Sequence, residues 1–305
     1  MEKTDIIAEI LEAFKIFDGN YKREQVDAAI EHKEEITPHL IEILENALAD
    51  PDPYIQNEDL YDHIYSLMLL GHFRESKAHK VIIDLFSLPD KIPHELYGDL
   101  ATSNLPTILL RTCEGSIEQI KSMALNKDVD AYCRISALNA MAYAVVEEIA
   151  SRGEVISFFE TLFTGNEADE ISDFWSLLAI LVCDLYPEEL MGTIKKAYNN
   201  DLIFSGMIRN EDFEKALADG KEKCLERLKT DLERQSLDDI HGSMSWWACF
   251  DEKSKPYSAP DSLINYARPA NLDQSTQKNR QKRNKAKKIN ENRQRLRRAK
   301  TAVER

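Results

Sequence analysis

The stretch LYDHIYSLMLLGHF at residues 60–73, with AHKVIIDLF at residues 78–86 close behind it, indicates the fold class of this protein. Its apolar side chains recur at spacings of three and four, which places them along one face of a helix. They are Leu60, Ile64, Leu67 and Met68 in the first segment and Ala78, Val81, Ile82, Leu85 and Phe86 in the second. The two segments therefore predict a pair of short amphipathic helices, with Gly71 as a natural break at the end of the first.

Further amphipathic segments lie on both sides of this pair. One stripe starts at Pro38 and ends at Asp50-Pro51, because a residue before proline is disfavoured in the α region. Downstream stripes predict helices around 117–124, 135–145, 155–162 and 171–185, and the helical pattern continues to Thr230. The second members of successive pairs centre near residues 67, 105, 141 and 178, a step of roughly 37 residues that resembles HEAT and armadillo repeats.

We therefore predict an all-α fold in which residues 1–235 form a HEAT-like α-α superhelix, a solenoid of about five antiparallel helix pairs. Only ten Gly and ten Pro occur in 305 residues, which is few for an all-β protein. No apolar run reaches the ~18 residues of a membrane span, so neither a membrane anchor nor a signal peptide is expected. Five widely spaced cysteines favour a reducing, cytoplasmic setting.

Charge is distributed very unevenly along the chain. Of the 39 Lys and Arg, 13 fall within residues 277–305, while only two of the 54 Asp and Glu do. The body therefore carries 26 cations against 52 carboxylates, and the tail has a net charge of about +11. This asymmetry bears on the choice of partners and not on the fold.

The C-terminal third divides into two predicted parts. Residues 236–273 contain prolines, small residues and the pair Trp246-Trp247, and predict an irregular segment that docks on the solenoid, with both tryptophans at least partly buried. Residues 274–305 form a basic tail, helical or disordered, without aromatic residues. The candidate interaction residues are Trp246, Trp247, Phe250, Lys278, Arg280, Lys282, Arg283, Lys285, Lys287, Lys288, Arg293, Arg295, Arg297 and Arg298.

Several runs resemble one bacterial family, the domain of unknown function numbered 1186. They are LLGHFRES (69–76), LYPEEL (185–190), KKAYNNDLI (195–203), EDFEKALADGKE (211–222) and, most specifically, MSWWACF (244–250). The resemblance covers roughly residues 35–250 in order. It implies a HEAT-like fold in a bacterial cytoplasm and supplies no activity. Many similar proteins end in a zinc-binding motif like that of the SecA translocase, but this chain has no cysteine after Cys249.

Three groups of residues are candidates for a metal-binding or catalytic site. His72 and His79 lack the spacing of a zinc-binding helix, so turn or surface histidines are favoured there. Arg74 and Glu75 are more readily explained as buried contacts between layers than as a functional pair. Cys249, eight residues after His241, could be a nucleophile only beside a base, and an apolar plug over the last helix pair is favoured.

These observations predict a non-enzymatic scaffold that binds another protein through its concave face, without a cofactor or a metal ion. The alternative is an RNA- or ribosome-associated protein that neutralises phosphates with the basic tail. Docking of that tail on the acidic body of its own chain competes with this alternative. An enzyme is a distant third, because the sequence contains neither a phosphate-binding Gly-rich loop nor a Gly-x-Ser-x-Gly motif.

Overall fold

The structure, a computed structural model, describes residues 3–169 and 172–250. The helices are α1 Lys3–Lys15, α2 Arg23–Glu31, α3 Lys33–Ala49, α4 Asp52–Gln56, α5 Asp62–Phe73, α6 His79–Phe86, α7 Ile92–Tyr97, α8 Leu100–Ser103, α9 Leu105–Thr112, α10 Glu118–Leu125, α11 Ala131–Val146, α12 Arg152–Glu160, α13 Phe174–Asp184, α14 Met191–Asn199, α15 Asn210–Asp219, α16 Lys221–Arg234 and α17 Ile240–Met244. Within the described residues there is no strand, only an isolated bridge between Ile16 and Leu60. The all-α prediction is confirmed.

Four helices form the centre of the molecule in a consecutive series. Helix α5 packs on α9, α9 on α11, and α11 on α13. Outer helices cover this series: α3 lies on α5 and α6, α10 lies on α11, and α16 lies on α11 and α13. The central helices correspond to the predicted second members of successive pairs, whereas the superhelical arrangement of the pairs and the segment boundaries at residues 235 and 273 stay predictions.

Side-chain hydrogen bonds between layers recur at sequence separations of 33 to 41 residues, close to the predicted step. They include Lys33 to the carbonyl of Phe73, His79 to Thr112, Ser136 to the carbonyl of Ala101, Tyr132 to Asp173, and Thr193 to Glu160. Each of these bonds connects two different helical segments, so polar contacts hold the helices together along with the continuous apolar core.

Arg134 of α11 joins two layers from inside the core. Only 1% of its surface is exposed, and its Nε donates to the carbonyl oxygen of Ala124 at 2.8 Å. Its Nη2 donates to Glu167 Oε2 at 3.1 Å, while Nη1 donates to the Glu167 carbonyl oxygen. The guanidinium also lies 4.5 Å from the centre of the Phe174 ring. The buried charge is thus fully paired, as its desolvation requires.

Two further arginines bind exposed helix ends of neighbouring layers. Arg111 of α9 donates to the carbonyl oxygens of Gly71 and His72, at 2.8 and 2.9 Å. Arg152, at the start of α12, donates to the carbonyls of the two residues that follow α13. Final carbonyls of a helix have no partner within it, so these contacts satisfy them. We predicted such a buried role for Arg74, but that side chain is mostly exposed and Arg111 makes the contact instead.

Two predicted helix limits are wrong. Helix α3 begins at Lys33 and contains Pro38, because burial of Ile36 extends the apolar face by a turn and offsets the one hydrogen bond that proline cannot donate. Gly71 lies inside α5, where an added Cβ would come within 2.9 Å of Ile108 Cγ1. Its role is close packing, and the helix ends instead at Phe73, followed by Arg74 with a left-handed φ of 56°.

Candidate functional site

The described residues form a concave groove of about 1350 Å³. One wall comes from α4, α5 and the turn between them, and the floor includes α7 and α8. The other wall comes from the end of α16, from α17 and from residues 246–249. No single stretch of sequence builds this groove, since its two walls lie about 170 to 195 residues apart in the chain. We call it the α5–α17 groove.

The C-terminal wall of the groove is held to the first helices of the chain. His241 of α17 contacts Tyr21 Oη through Nδ1 and Asp27 Oδ1 through Nε2, both at 2.8 Å. Just before α17, the carbonyl of the fully buried Leu237 accepts a hydrogen bond from His72 Nδ1 at 2.6 Å. These contacts attach the C-terminal wall to α2 on one side and to α5 on the other.

An ion pair strengthens the same wall. Arg111 Nη1 donates to Asp238 Oδ1 at 2.7 Å, and the hydroxyl of Ser236 donates to the other carboxylate oxygen at 2.9 Å. The hydrogen bond from Arg111, followed by that from Ser236, lowers the pKa of Asp238 to about 2. Since Arg111 also binds the end of α5, it connects both walls of the α5–α17 groove.

The two adjacent tryptophans have different environments. Trp247 is half-buried and its ring stacks on Phe250, with 5.9 Å between ring centres. Phe250 in turn contacts Phe17, Tyr21 and Tyr61. Trp246 is 74% exposed at the mouth of the groove, so the prediction of burial is confirmed for Trp247 and wrong for Trp246. The chain turns at these residues, and only one of the two rings can face the aromatic cluster.

Carboxylates dominate the charge around the groove. Among its lining residues, six are acidic and a single arginine, Arg234, is basic. The acidic residues are Glu58, Glu95, Asp99, Glu233, Asp238 and Asp239. Arg234 is itself paired with Asp231, which lies outside the groove, at 3.1 Å. A narrow cleft lined by charges of one sign concentrates counter-ions, so this groove attracts cations.

Two buried polar groups lie on the floor of the groove without a partner among the described residues. His63 donates from Nε2 to the carbonyl oxygen of Leu96 at 2.9 Å, and burial lowers the pKa of His63 to about 4. The ring is therefore neutral, and its Nδ1 presents a lone pair that accepts no hydrogen bond. The Tyr97 hydroxyl is likewise buried without a partner, and its ring lies 5.3 Å from that of His63. The ring of Tyr54 lies 4.8 Å from that of His63.

The arrangement expected of a cysteine nucleophile is not formed. Cys249 lines the groove and is exposed, but the group that approaches its sulfur is the Tyr61 hydroxyl at 3.5 Å. Burial, followed by the nearby thiol, raises the pKa of Tyr61, so it is not a base at neutral pH. His241 uses both ring nitrogens for Tyr21 and Asp27.

The sequence predictions identified one wall of this site. Trp246 and Trp247 were selected for their motif, and the structure places both at the groove. Phe250 packs behind them. The basic residues from Lys278 to Arg298 lie outside the described residues. Sequence analysis missed His63, Tyr97 and the acidic rim, because single histidines and carboxylates give no signal until the fold brings them together.

These features define the class: an all-α protein with an acidic, aromatic groove between helices α4, α5, α7 and α8 and the last described helices, α16 and α17. The chain belongs to the family described as protein of unknown function (DUF1186), whose model matches residues 5–251. An uncharacterized protein of Chlamydia muridarum is 33% identical over 244 residues, covering 79% of this chain and 96% of that protein. An uncharacterized protein of Chlamydia trachomatis serovar D is 32% identical over 237 residues, covering 77% and 94% respectively. No solved structure matches.

The family match includes the whole groove and ends before the basic tail. No helix within residues 3–169 and 172–250 is long and apolar enough to cross a bilayer.

Proposed function

We propose that this protein is a non-enzymatic interaction protein whose α5–α17 groove binds a segment of a partner protein rich in lysine and arginine. The observation that carries this proposal is the excess of carboxylates around a groove with aromatic walls: five lie there besides Asp238, which pairs with Arg111, against the single lining Arg234. Guanidinium and ammonium groups are the protein side chains that complement both features, since they pair with carboxylates and lie over aromatic rings.

The floor of the groove supports the same ligand. A guanidinium or ammonium group carries only hydrogen-bond donors, and His63 Nδ1 is a buried acceptor without a partner among the described residues. The rings of Tyr54 and Tyr97, which both contact His63, offer faces for a cation. One basic side chain inserted between the walls would therefore be recognised by an acceptor, by two rings and by the surrounding charge.

The rim gives a direct test. A fluorescently labelled peptide of about ten residues, rich in Lys and Arg, is titrated with the full-length protein while its anisotropy is measured. The triple variant Glu58→Gln, Glu95→Gln, Asp99→Asn removes three exposed rim charges. If each pairing contributes about 0.2–1 kcal/mol, the variant weakens binding about tenfold at low salt, within a range of roughly 3- to 150-fold.

The matched control is Glu45→Gln, Glu118→Gln, Glu214→Gln, which removes three exposed charges outside the groove. Equal weakening by both variants would mean that the peptide responds only to net charge, and the groove proposal would fail. Strong binding of a Glu-rich peptide of equal length would contradict it as well. Tyr97→Phe removes the floor hydroxyl alone and separates floor recognition from rim recognition.

Binding of RNA by the basic tail is the second candidate, favoured by its 13 cations and lack of aromatic residues. The acidic groove repels phosphate, so this function depends on the tail alone. A chain ending at Asp273 should then lose nucleic-acid binding, while the intact chain shows a log–log salt slope of about −4 to −5 for about six neutralised phosphates. If instead this truncation binds the cationic peptide far more tightly than the intact chain does, the tail occupies the groove of its own molecule.

A further inference from the structure

Three potential metal ligands meet at a second place, where α7 faces the beginning of α11. His94 lies in α7, Asp130 is the residue before α11, and Cys133 lies in the first turn of α11. One ligand atom of each residue lies within 4.8 Å of the others. His94 Nε2 is 3.0 Å from Asp130 Oδ1. Within the described residues this is the one group of three or more His, Cys, Asp or Glu side chains that converges so closely.

The surrounding structure holds these ligands in place but leaves some of their lone pairs without a hydrogen bond. Asp130 Oδ1 accepts hydrogen bonds from the backbone amides of Tyr132 and Cys133, at 2.9 and 3.3 Å, which hold the carboxylate at the helix end. Asp130 Oδ2 accepts none of the hydrogen bonds made by described residues. The fully buried Cys133 Sγ makes none either, whereas the buried thiol of Cys113 donates to the Leu110 carbonyl.

An ion has a way in from solvent. Asp130 lines a cleft of about 660 Å³ whose other charged residues are Asp90, Lys91, Glu95 and Asp128. Four carboxylates against one lysine favour entry of a cation. His94 and Asp130 are each partly exposed toward solvent, while Cys133 forms the buried side.

We propose that His94, Asp130 and Cys133 bind a single Zn²⁺ ion, with solvent as its fourth ligand. Thiolate and imidazole together select zinc over calcium or magnesium, and three protein ligands plus water complete a tetrahedral shell. On binding, His94 Nε2, a carboxylate oxygen and Cys133 Sγ each bond the ion. The His94–Asp130 hydrogen bond breaks, the His94 proton resides on Nδ1, and the Cys133 proton passes to the buffer. The ion thereby ties α7 to α11.

Metal binding by the full-length protein tests this proposal. After removal of metals with a chelator, the protein is titrated with Zn²⁺ in competition with a chromophoric chelator, and separately with Co²⁺. The expected results are one equivalent of zinc and, with Co²⁺, a near-ultraviolet thiolate-to-cobalt charge-transfer band. Residues after Cys249 contain neither histidine nor cysteine, so the tail offers no competing thiolate or imidazole ligand.

Three variants assign the ligands. His94→Gln, Asp130→Asn and Cys133→Ala should each weaken zinc binding more than about 100-fold, beyond the usual effect of losing an outer-shell partner. Asp130→Asn keeps an oxygen that can cap α11, so it separates ligation from folding. Cys113→Ala removes another buried thiol and should leave zinc affinity unchanged.

Two results would overturn the proposal. The first is intact protein that binds zinc no more tightly than folded Asp130→Asn, and the second is a cobalt complex without the thiolate band. Far-ultraviolet circular dichroism verifies that each variant is folded. Peptide binding in the groove is measured separately, so failure of one proposal leaves the other standing.

Discussion

Charge is arranged in opposite ways in two regions of the molecule. One is the junction between helices at Arg134, and the other is the rim of the α5–α17 groove. At the junction, the guanidinium is fully buried and every nitrogen has an acceptor, one of them the carboxylate of Glu167. At the rim, Asp238 is paired with Arg111, and the other five lining carboxylates share the groove with a single lining arginine that is itself paired with Asp231. The difference separates a charge arrangement that holds the fold together from one that is available to a partner.

The largest expected effect lies at the junction. Arg134→Met should lower the free energy of unfolding by about 3–5 kcal/mol, because Glu167 Oε2 and two carbonyls lose their buried donor, while Lys127 and Thr164 still contact only Glu167 Oε1. Urea denaturation followed by circular dichroism measures this loss. Adding Glu167→Gln should restore part of it, and a single variant as stable as the wild-type protein would show that the ion pair does not hold the layers.

Asp184, a half-buried carboxylate without an ion pair among the described residues, is expected to lower the stability of the fold when it is ionised, in contrast to the ion pair of Arg134. Burial, followed by repulsion from Asp231, raises the pKa of Asp184 in α13 to about 6, above its ordinary value of 3.8. The folded state therefore holds this proton more tightly than the unfolded chain, and stability decreases as the pH rises from about 4 to 6. Asp184→Asn should then stabilise the protein above pH 6 by up to about 3 kcal/mol, an upper bound from the pKa difference.

Thermal melts of both proteins at several pH values test the sign of this effect. The gain from Asp184→Asn should shrink between pH 6 and pH 4. A gain that is constant across this range would assign the stabilisation to packing and not to ionisation.

The tryptophan pair allows a comparison within the groove itself. Trp247→Ala should cost about 1–3 kcal/mol, less than for a fully buried ring, because Trp247 is half-buried on Phe250. Trp246→Ala should change stability by less than about 0.5 kcal/mol and weaken binding of the cationic peptide. Equal melting temperatures for the two variants would mean that residues 246–250 do not pack as described.

The smallest effect is expected from the rim. The triple variant Glu58→Gln, Glu95→Gln, Asp99→Asn should change the free energy of unfolding by no more than about 0.5 kcal/mol per site. A large loss of stability would mean that these carboxylates stabilise the fold as Arg134 does. The contrast between the two regions would then be wrong. Denaturant midpoints of the triple variant and its matched control provide the measurement.

Local sequence patterns predicted the helices better than they predicted their ends or the groove. Spacing of apolar residues located α5, α6 and α9 to α13. Each of these helices buries one face, and the residues that form this face lie close together in the sequence. The start of α3 was missed because burial of Ile36 against other helices overrides the preference for proline in a first turn. The short helix α4 carries no complete apolar stripe.

The site was harder to predict for the same physical reason. Its members come from residues 54–64, 95–104 and 233–249, and no period within one helix connects them. Gly71 shows the problem in a single residue: glycine near a helix end usually marks a stop, but here it accommodates Ile108 from another layer. Motif reasoning found the tryptophans, and their different exposure depends on tertiary contacts alone.

The contacts of His241 with Tyr21 and Asp27 span 220 and 214 residues, so they join helix α17 to the N-terminal part of the chain. A nascent chain emerges from the ribosome N-terminus first, and the early helix pairs can fold as they appear. Closure requires α17, so the groove wall is completed after the other described helices. A chain that ends before residue 236 would lack α17 and Phe250, so Phe17, Tyr21 and Tyr61 would lose the aromatic ring that covers them.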